Sequence, residues 1–183
     1  MNPNHSITPE KTILAGILPV FLAGALFHYL YDITGRNVIA GAFAPVNESI
    51  WEHLKMIPLP LLAWWALGYA ILTRRGYPLD KNKWFTAALV SLVVALLAVP
   101  FLYYFYTAAF GIQRLFIDIM ILLVAILLGH LLARHIYKQS AGIDYRLALA
   151  LCLGLVLLFV WFTFAPPQLP LFRDPINGTY GIL

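Results

Sequence analysis

Charge is scarce in this chain: only 11% of its 183 residues are Asp, Glu, Lys or Arg. A soluble domain carries about 25%, so an ordinary water-soluble globular fold is excluded. Cysteine is scarcer still. The one cysteine, Cys152, lies within an apolar run, which excludes a disulfide framework and a cysteine-based metal site. Acidic residues number 8 against 12 basic ones, for a net charge of +4. The basic residues sit in short connections between apolar runs, which is the positive-inside pattern of membrane proteins rather than a nucleic-acid footprint. Nucleic acid is therefore not an expected partner. No internal repeat and no His-Glu-x-x-His motif are present.

What the chain has in quantity is apolar length. Hydrophobic residues make up 62% of it, and its mean hydropathy is +0.82. Crossing a bilayer core takes about 20 helical residues, and five runs are long enough, near 12–32, 49–73, 84–107, 113–137 and 144–164. Backbone in lipid must satisfy its own hydrogen bonds, so each run is expected as a helix. The fold class is all-α: a single membrane domain over 1–183 whose chief partner is the bilayer. The first run superficially fits a signal peptide, with Lys11 before it and Ala23-Gly24-Ala25 within it. It continues through Leu30, however, and reads as a retained span. Pro19, Pro58, Pro60 and Pro100 are expected to bend their helices. The odd span count argues against a simple inverted-repeat transporter.

Lysine and arginine set the expected orientation. Arg74, Arg75, Lys81 and Lys83 follow the second run, and Arg134, Lys138 and Arg146 follow the fourth. Those two connections belong in the cytoplasm. The expected product is a multi-pass protein of the cell membrane, amino terminus inside and carboxyl terminus outside. That topology gathers His28, Asp32, Glu48, Glu52, His53, Lys55, Asp118 and Asp174 into one outer layer. The other three acidic residues, Glu10, Asp80 and Asp144, fall on the opposite side.

Ionisable groups near a bilayer are costly unless partnered, and so mark functional sites. In the second run Glu48, Glu52 and Lys55 stand at i, i+4 and i+7, on one helical face, with His53 about 100° around beside Ser49. A local account competes: Ser49-Ile50-Trp51-Glu52 fits a capping box, and Lys55 pairs with either glutamate. His28, Asp32 and Arg36 share one face of the first span, and Arg114 and Asp118 one face of the fourth. Each also reads as an intrahelical ion pair. Asp118 lies a turn into the apolar run and is expected to point into the bundle. His28, Glu48, Glu52 and Asp118 form a ligand set for a divalent metal such as zinc. Glu48, Glu52, His53 and Asp118 equally suit acid–base catalysis. Asn47, Lys55, Arg114 and Asp174 are the candidates for holding substrate.

His130 falls twelve residues beyond Asp118, roughly 18 Å deeper, and belongs to another layer. His5 and His135 read as solvated or interfacial. The aromatic run 101–106 reads as an interfacial belt, and Trp51, Trp64, Trp65, Trp84 and Trp161 as packing or belt residues. In the tail, 165–183, four prolines and an Asn177-Gly178 turn accompany leucines, Phe172 and Tyr180. It is expected to fold back over the outer face and cap the polar layer, as a lid or a structural plug.

Phe27-His28-Tyr29, Pro45-Val46-Asn47-Glu48-Ser49-Ile50-Trp51-Glu52-His53-Leu54-Lys55, Ile117-Asp118-Ile119 and the tail from Pro166 to Pro175 with Tyr180-Gly181 resemble the signature of a prokaryotic membrane-protein family, domain of unknown function 6512. The resemblance covers essentially the whole chain. It implies a small polytopic membrane protein whose signature residues are those of the polar layer, and it leaves the chemistry open. The leading expectation is a membrane-embedded, metal-dependent enzyme acting at the outer interface on a lipid headgroup or small polar substrate. The alternatives are a binding or transport protein using the same pocket, and a structural subunit held by an ion-pair network.

Overall fold

The computed structural model describes residues 7–182; His5 lies outside them. Among the described residues there are helices and no strands, and five helical stretches are long and apolar enough to cross a membrane. The first is α1 (Pro9–Ala15) with α2 (Ile17–Phe27), broken at Gly16. Pro19 accounts for the break: its ring nitrogen cannot donate to the carbonyl four residues back, at Ala15. A short α3 (Leu30–Ile33), a tip at 34–37 and α4 (Val38–Phe43) form a helical hairpin outside any span. The second stretch is α5 (Ile50–Leu54) followed by α6 (Pro58–Arg74). The break falls where Pro58 opens α6, the position at which a missing N–H costs least.

Then come α7 (Lys81–Phe110), α8 (Leu115–Gln139) and α9 (Tyr145–Phe164). Helix α7 runs on through Pro100 and stops at Gly111, whose φ of 63° is the left-handed C-terminal turn that favours glycine. Asp80 and Asp144 cap α7 and α9 by accepting backbone N–H groups.

Helices α7 and α8 form the most extensive helix pair, joined along small residues. Ala87, Ala88, Ser91 and Ala95 of α7 are buried, as are Ala125, Gly129 and Ala133 of α8. A Cβ on Gly129 would stand 2.5 Å from the Ser91 carbonyl oxygen, so the approach exists because that side chain is absent. Toward the other end of the bundle, Trp65 and Trp84 meet edge-to-face at 4.7 Å, and the Trp84 indole donates to the Trp65 carbonyl.

The tail folds back. Asn47 Nδ2 donates to the Gly181 carbonyl, and the Ile182 N–H donates to that of Thr163. Phe172 stacks on Trp51 at 4.6 Å, and Phe159 stacks on Trp51 at 4.5 Å. The end of the bundle carrying the α3–α4 hairpin, α5 and the tail is called the site end below.

Replacing Gly129 with Val should force α7 and α8 apart and cost about 1–3 kcal/mol. Thermal unfolding of the variant in detergent should show a lowered midpoint, while Gly154→Val, at a position with open space around it, should not.

Candidate functional site

The stretch 45–57 sets the site, and it departs from one continuous helix. Ser49 is the N-cap of α5, and its hydroxyl accepts the Glu52 N–H at 3.2 Å. Helical geometry therefore starts at Ile50, and Glu48 lies before the helix. Glu48 and Glu52 do not share a helical face as their spacing suggested. The second half of the capping box is replaced too: the Ser49 N–H donates to Asn47 Oδ1 instead of reaching Glu52.

Freed from that role, Glu52 turns inward. Its side chain is buried, and Oε2 lies 2.6 Å from Lys55 Nζ, which is also buried. The same oxygen accepts the Val46 N–H at 3.1 Å. Lys55 spends its other two donors on the carbonyls of Gly41 (2.8 Å) and Ala44 (3.3 Å), at the C-terminal end of α4. All three ammonium protons are thus used inside the protein. Lys55 holds the α3–α4 hairpin to α5 and is not available to an anionic substrate.

Glu48 turns outward to the histidines. His53 Nε2 lies 3.4 Å from Glu48 Oε2, and His28 Nε2 lies 3.9 Å from Glu48 Oε1. The two imidazoles stack with centroids 5.1 Å apart. One ligand atom from each of His28, Glu48 and His53 falls within 4.8 Å of the others. This is a two-histidine, one-carboxylate set, and Glu52 and Asp118 are not in it. The expected metal set of His28, Glu48, Glu52 and Asp118 is thus reduced to its first two members, with His53 as the third.

The tautomer of His53 sharpens the chemistry. Its Nδ1 lies 2.9 Å from the Ser49 carbonyl, which can only accept, so a neutral ring places its one N–H there. Nε2 then presents a lone pair to a carboxylate oxygen. In that tautomer a bound cation between Nε2 and the carboxylate 3.4 Å away reconciles the two acceptors, and in the protonated ring Nε2 donates to Glu48 instead. A backbone carbonyl orienting one ring nitrogen is also the usual outer partner of a metal-ligating histidine. Burial and the neighbouring His53 ring hold the His28 pKa below its ordinary value of 6.5, against the opposing pull of Glu48 and Asp32. His28 thus favours the neutral, ligating form.

An open cleft of about 310 Å³ adjoins the triad. Its walls include Asp32 and Arg36 of the hairpin, Asn47 and Glu48, and Asp174 and Asn177 of the tail. Of the substrate-binding candidates, Asn47 and Asp174 therefore lie at the cleft. Asp174 Oδ1 accepts the Ile176 N–H and Oδ2 accepts from Asn177 Nδ2, so this carboxylate shapes the tail's turn. Arg114 caps α8 without a side-chain bond to that helix. Asp118 accepts the Tyr106 hydroxyl at 2.5 Å, which ties α8 to α7. His130 is fully buried on α8, Nδ1 against the Ile126 carbonyl, far along the helix from Asp118.

Two outcomes follow. Removing Lys55 as Lys55→Met leaves Glu52 buried without its partner, a change that typically costs about 3–5 kcal/mol. Chemical denaturation should show most of that loss recovered in Lys55→Met/Glu52→Leu. The second concerns pH. A histidine whose folded pKa is lowered binds fewer protons folded than unfolded in the interval below 6.5. Its contribution is thus complete above that value and lost as pH falls through the interval. The melting temperature of the metal-free protein should fall on acidification from pH 7, and less steeply in His28→Gln.

A family model described as a family of unknown function (DUF6512) matches residues 1–182, and the chain belongs to that family. No curated protein and no solved structure matches.

Proposed function

From a membership that names no activity, and from the geometry of the site end, we propose that this protein is a multi-pass membrane enzyme whose His28, Glu48 and His53 hold a divalent transition metal, zinc first. The observation that carries the reading is the convergence of three ligand atoms, one from each of His28, Glu48 and His53, within 4.8 Å of one another. Nitrogen and carboxylate ligands of this kind suit zinc and other first-row divalent ions. Three protein ligands leave a coordination position open, the mark of a catalytic rather than a structural zinc site. The cleft beside Glu48 supplies the room for a substrate there. A metal in this place would supply Lewis-acid chemistry, activating water or polarising a carbonyl or phosphoryl oxygen. The distribution of Lys and Arg supports an extracytoplasmic site end, and the substrate on this reading is a lipid headgroup or a small polar molecule reaching that surface.

One observation favours a second reading, a binding protein that uses the same cleft without chemistry. Glu52 and Asp118, two of the expected acid–base groups, have carboxylate oxygens engaged by Lys55 and Tyr106. The two readings share the metal and part at turnover, which a screen of esterase and phosphodiesterase substrates with metal-loaded protein decides.

Elemental analysis of purified protein, after exposure to zinc and removal of excess, should find one equivalent per chain. His28→Ala, Glu48→Gln and His53→Ala should each abolish stoichiometric binding. Asp118→Asn, which changes a carboxylate outside the triad, should retain it. Loss of metal in Asp118→Asn with retention in His53→Ala would overturn this ligand set. No metal in the native protein would return the triad to a plain imidazolium–carboxylate pair.

A further inference from the structure

We propose that the ligand of the site-end cleft is a membrane phospholipid, its phosphodiester held by Arg36 and its acyl chains lying beside the α3–α4 hairpin. This rests on the reading of His28, Glu48 and His53 as the site, and adds the class of molecule that the site receives.

The hairpin lies between the first two spans, yet its side chains are those of a lipid contact. Ile33 is 78% exposed, Ile39 74% and Val38 56%. A tip surrounded by water would not present three branched apolar residues together; one lying in the headgroup–acyl boundary would. Leu18, Leu22 and Leu26, at i, i+4 and i+8, give α2 an exposed apolar face of its own. Leu26 at the end of α2 is 72% exposed, and Tyr29 just beyond it is also exposed, where an amphipathic ring suits the bilayer interface. The Tyr29 and His28 rings meet edge-to-face with centroids 5.1 Å apart. The ligand cluster therefore touches the boundary from which a lipid would come.

Three carboxylates, Asp32, Glu48 and Asp174, share the cleft wall with a single cation; Glu48 belongs to the metal set and Asp174 is taken up by the turn of the tail, which leaves that cation to hold a phosphodiester. Arg36 is a guanidinium on its wall, a group whose planar fork matches phosphate oxygens. Its pairing with Asp32 is long, 3.4 Å, and both side chains are more than two-thirds exposed. Such a pair contributes little and leaves the fork free to turn to a phosphate. Arg36 is also the non-glycine residue with positive φ, 60°, among the described residues. The chain therefore keeps a long cationic side chain at a hairpin tip where glycine would be easier. Across the cleft, Asn177 and Thr179 of the tail offer amide and hydroxyl groups to a polar head. A volume of about 310 Å³ admits a headgroup and leaves two acyl chains outside, along the exposed face of the hairpin.

The test is calorimetric titration of the full chain in maltoside detergent. The probes are dihexanoylphosphatidylglycerol, a soluble short-chain phospholipid, and glycerophosphoglycerol, the same headgroup without chains. The lipid should bind at least about tenfold more tightly than the deacylated compound, because burying even a few methylenes gives that factor. Arg36→Gln should weaken both by about tenfold or more, as loss of a charge-assisted contact does. Ile33→Ser/Ile39→Ser should weaken the lipid alone. These exposed positions should leave the melting temperature and the cobalt(II) absorption of the metal site unchanged, showing that each variant is folded. Equal affinity for the two probes overturns the lipid assignment in favour of a small soluble phosphodiester. Lipid binding indifferent to both variants, or no lipid binding by cobalt-loaded protein, overturns it outright while the metal reading stands. Absence of the cobalt band together with the full lipid pattern overturns the metal reading and supports the lipid one.

Discussion

A buried ion pair governs the architecture of the site end. Taking Glu52 and Lys55 out of water costs several kcal/mol per ion even after relaxation, and the fold offsets this through direct contacts to both charges. Lys55 donates to Glu52, to Gly41 and to Ala44; Glu52 accepts from Lys55 and from Val46. The bonds to Gly41, Ala44 and Val46 join α5 to the chain that precedes it. The hairpin, the loop after it and the second span are thus fixed together by one cation. A misplacement of any of them leaves a charge buried and unpaired.

That constraint also divides the acidic residues into two kinds. Glu52 is 1% exposed and belongs to the interior; Glu48, four residues earlier, is exposed and faces two imidazoles. The division comes from the N-cap at Ser49. Because the helix begins at Ile50, Glu48 lies in a bend before it and its side chain leaves the helical face on which Glu52 sits. Asp118 and Asp174 follow the same logic of local commitment: one bonds Tyr106 on the neighbouring helix, the other its own turn. Of these four carboxylates, Glu48 is the one that faces two imidazoles.

The tail completes the arrangement by covering it from one side. The Trp51 ring between Phe159 and Phe172 anchors the tail beside α5, and the Asn47–Gly181 bond closes it over the loop that carries Glu48. The tail lines the cleft with Asp174, Asn177 and Thr179 as well as Ile182, while aromatic stacking fixes where the tail lies.

Apolar run length alone determined much of this protein. Helices are the economical solution for backbone in lipid, so five long apolar stretches with proline at their breaks were legible without coordinates. So was the fold-back of a proline-stiffened tail with aromatic groups to bury. The identity of the polar layer was legible as a set, since expensive residues near a bilayer stand out against an apolar background. The partners within that set were not. Helical spacing placed Glu48 with Glu52 and put His53 on another face, because periodicity presumes that the helix is already under way. Where a helix starts depends on which hydroxyl caps it, and which carboxylate turns inward depends on where Lys55 finds the Gly41 and Ala44 carbonyls. Those carbonyls lie on a different helix. Only the tertiary structure decides that pairing, and with it which residues are left to meet at His28.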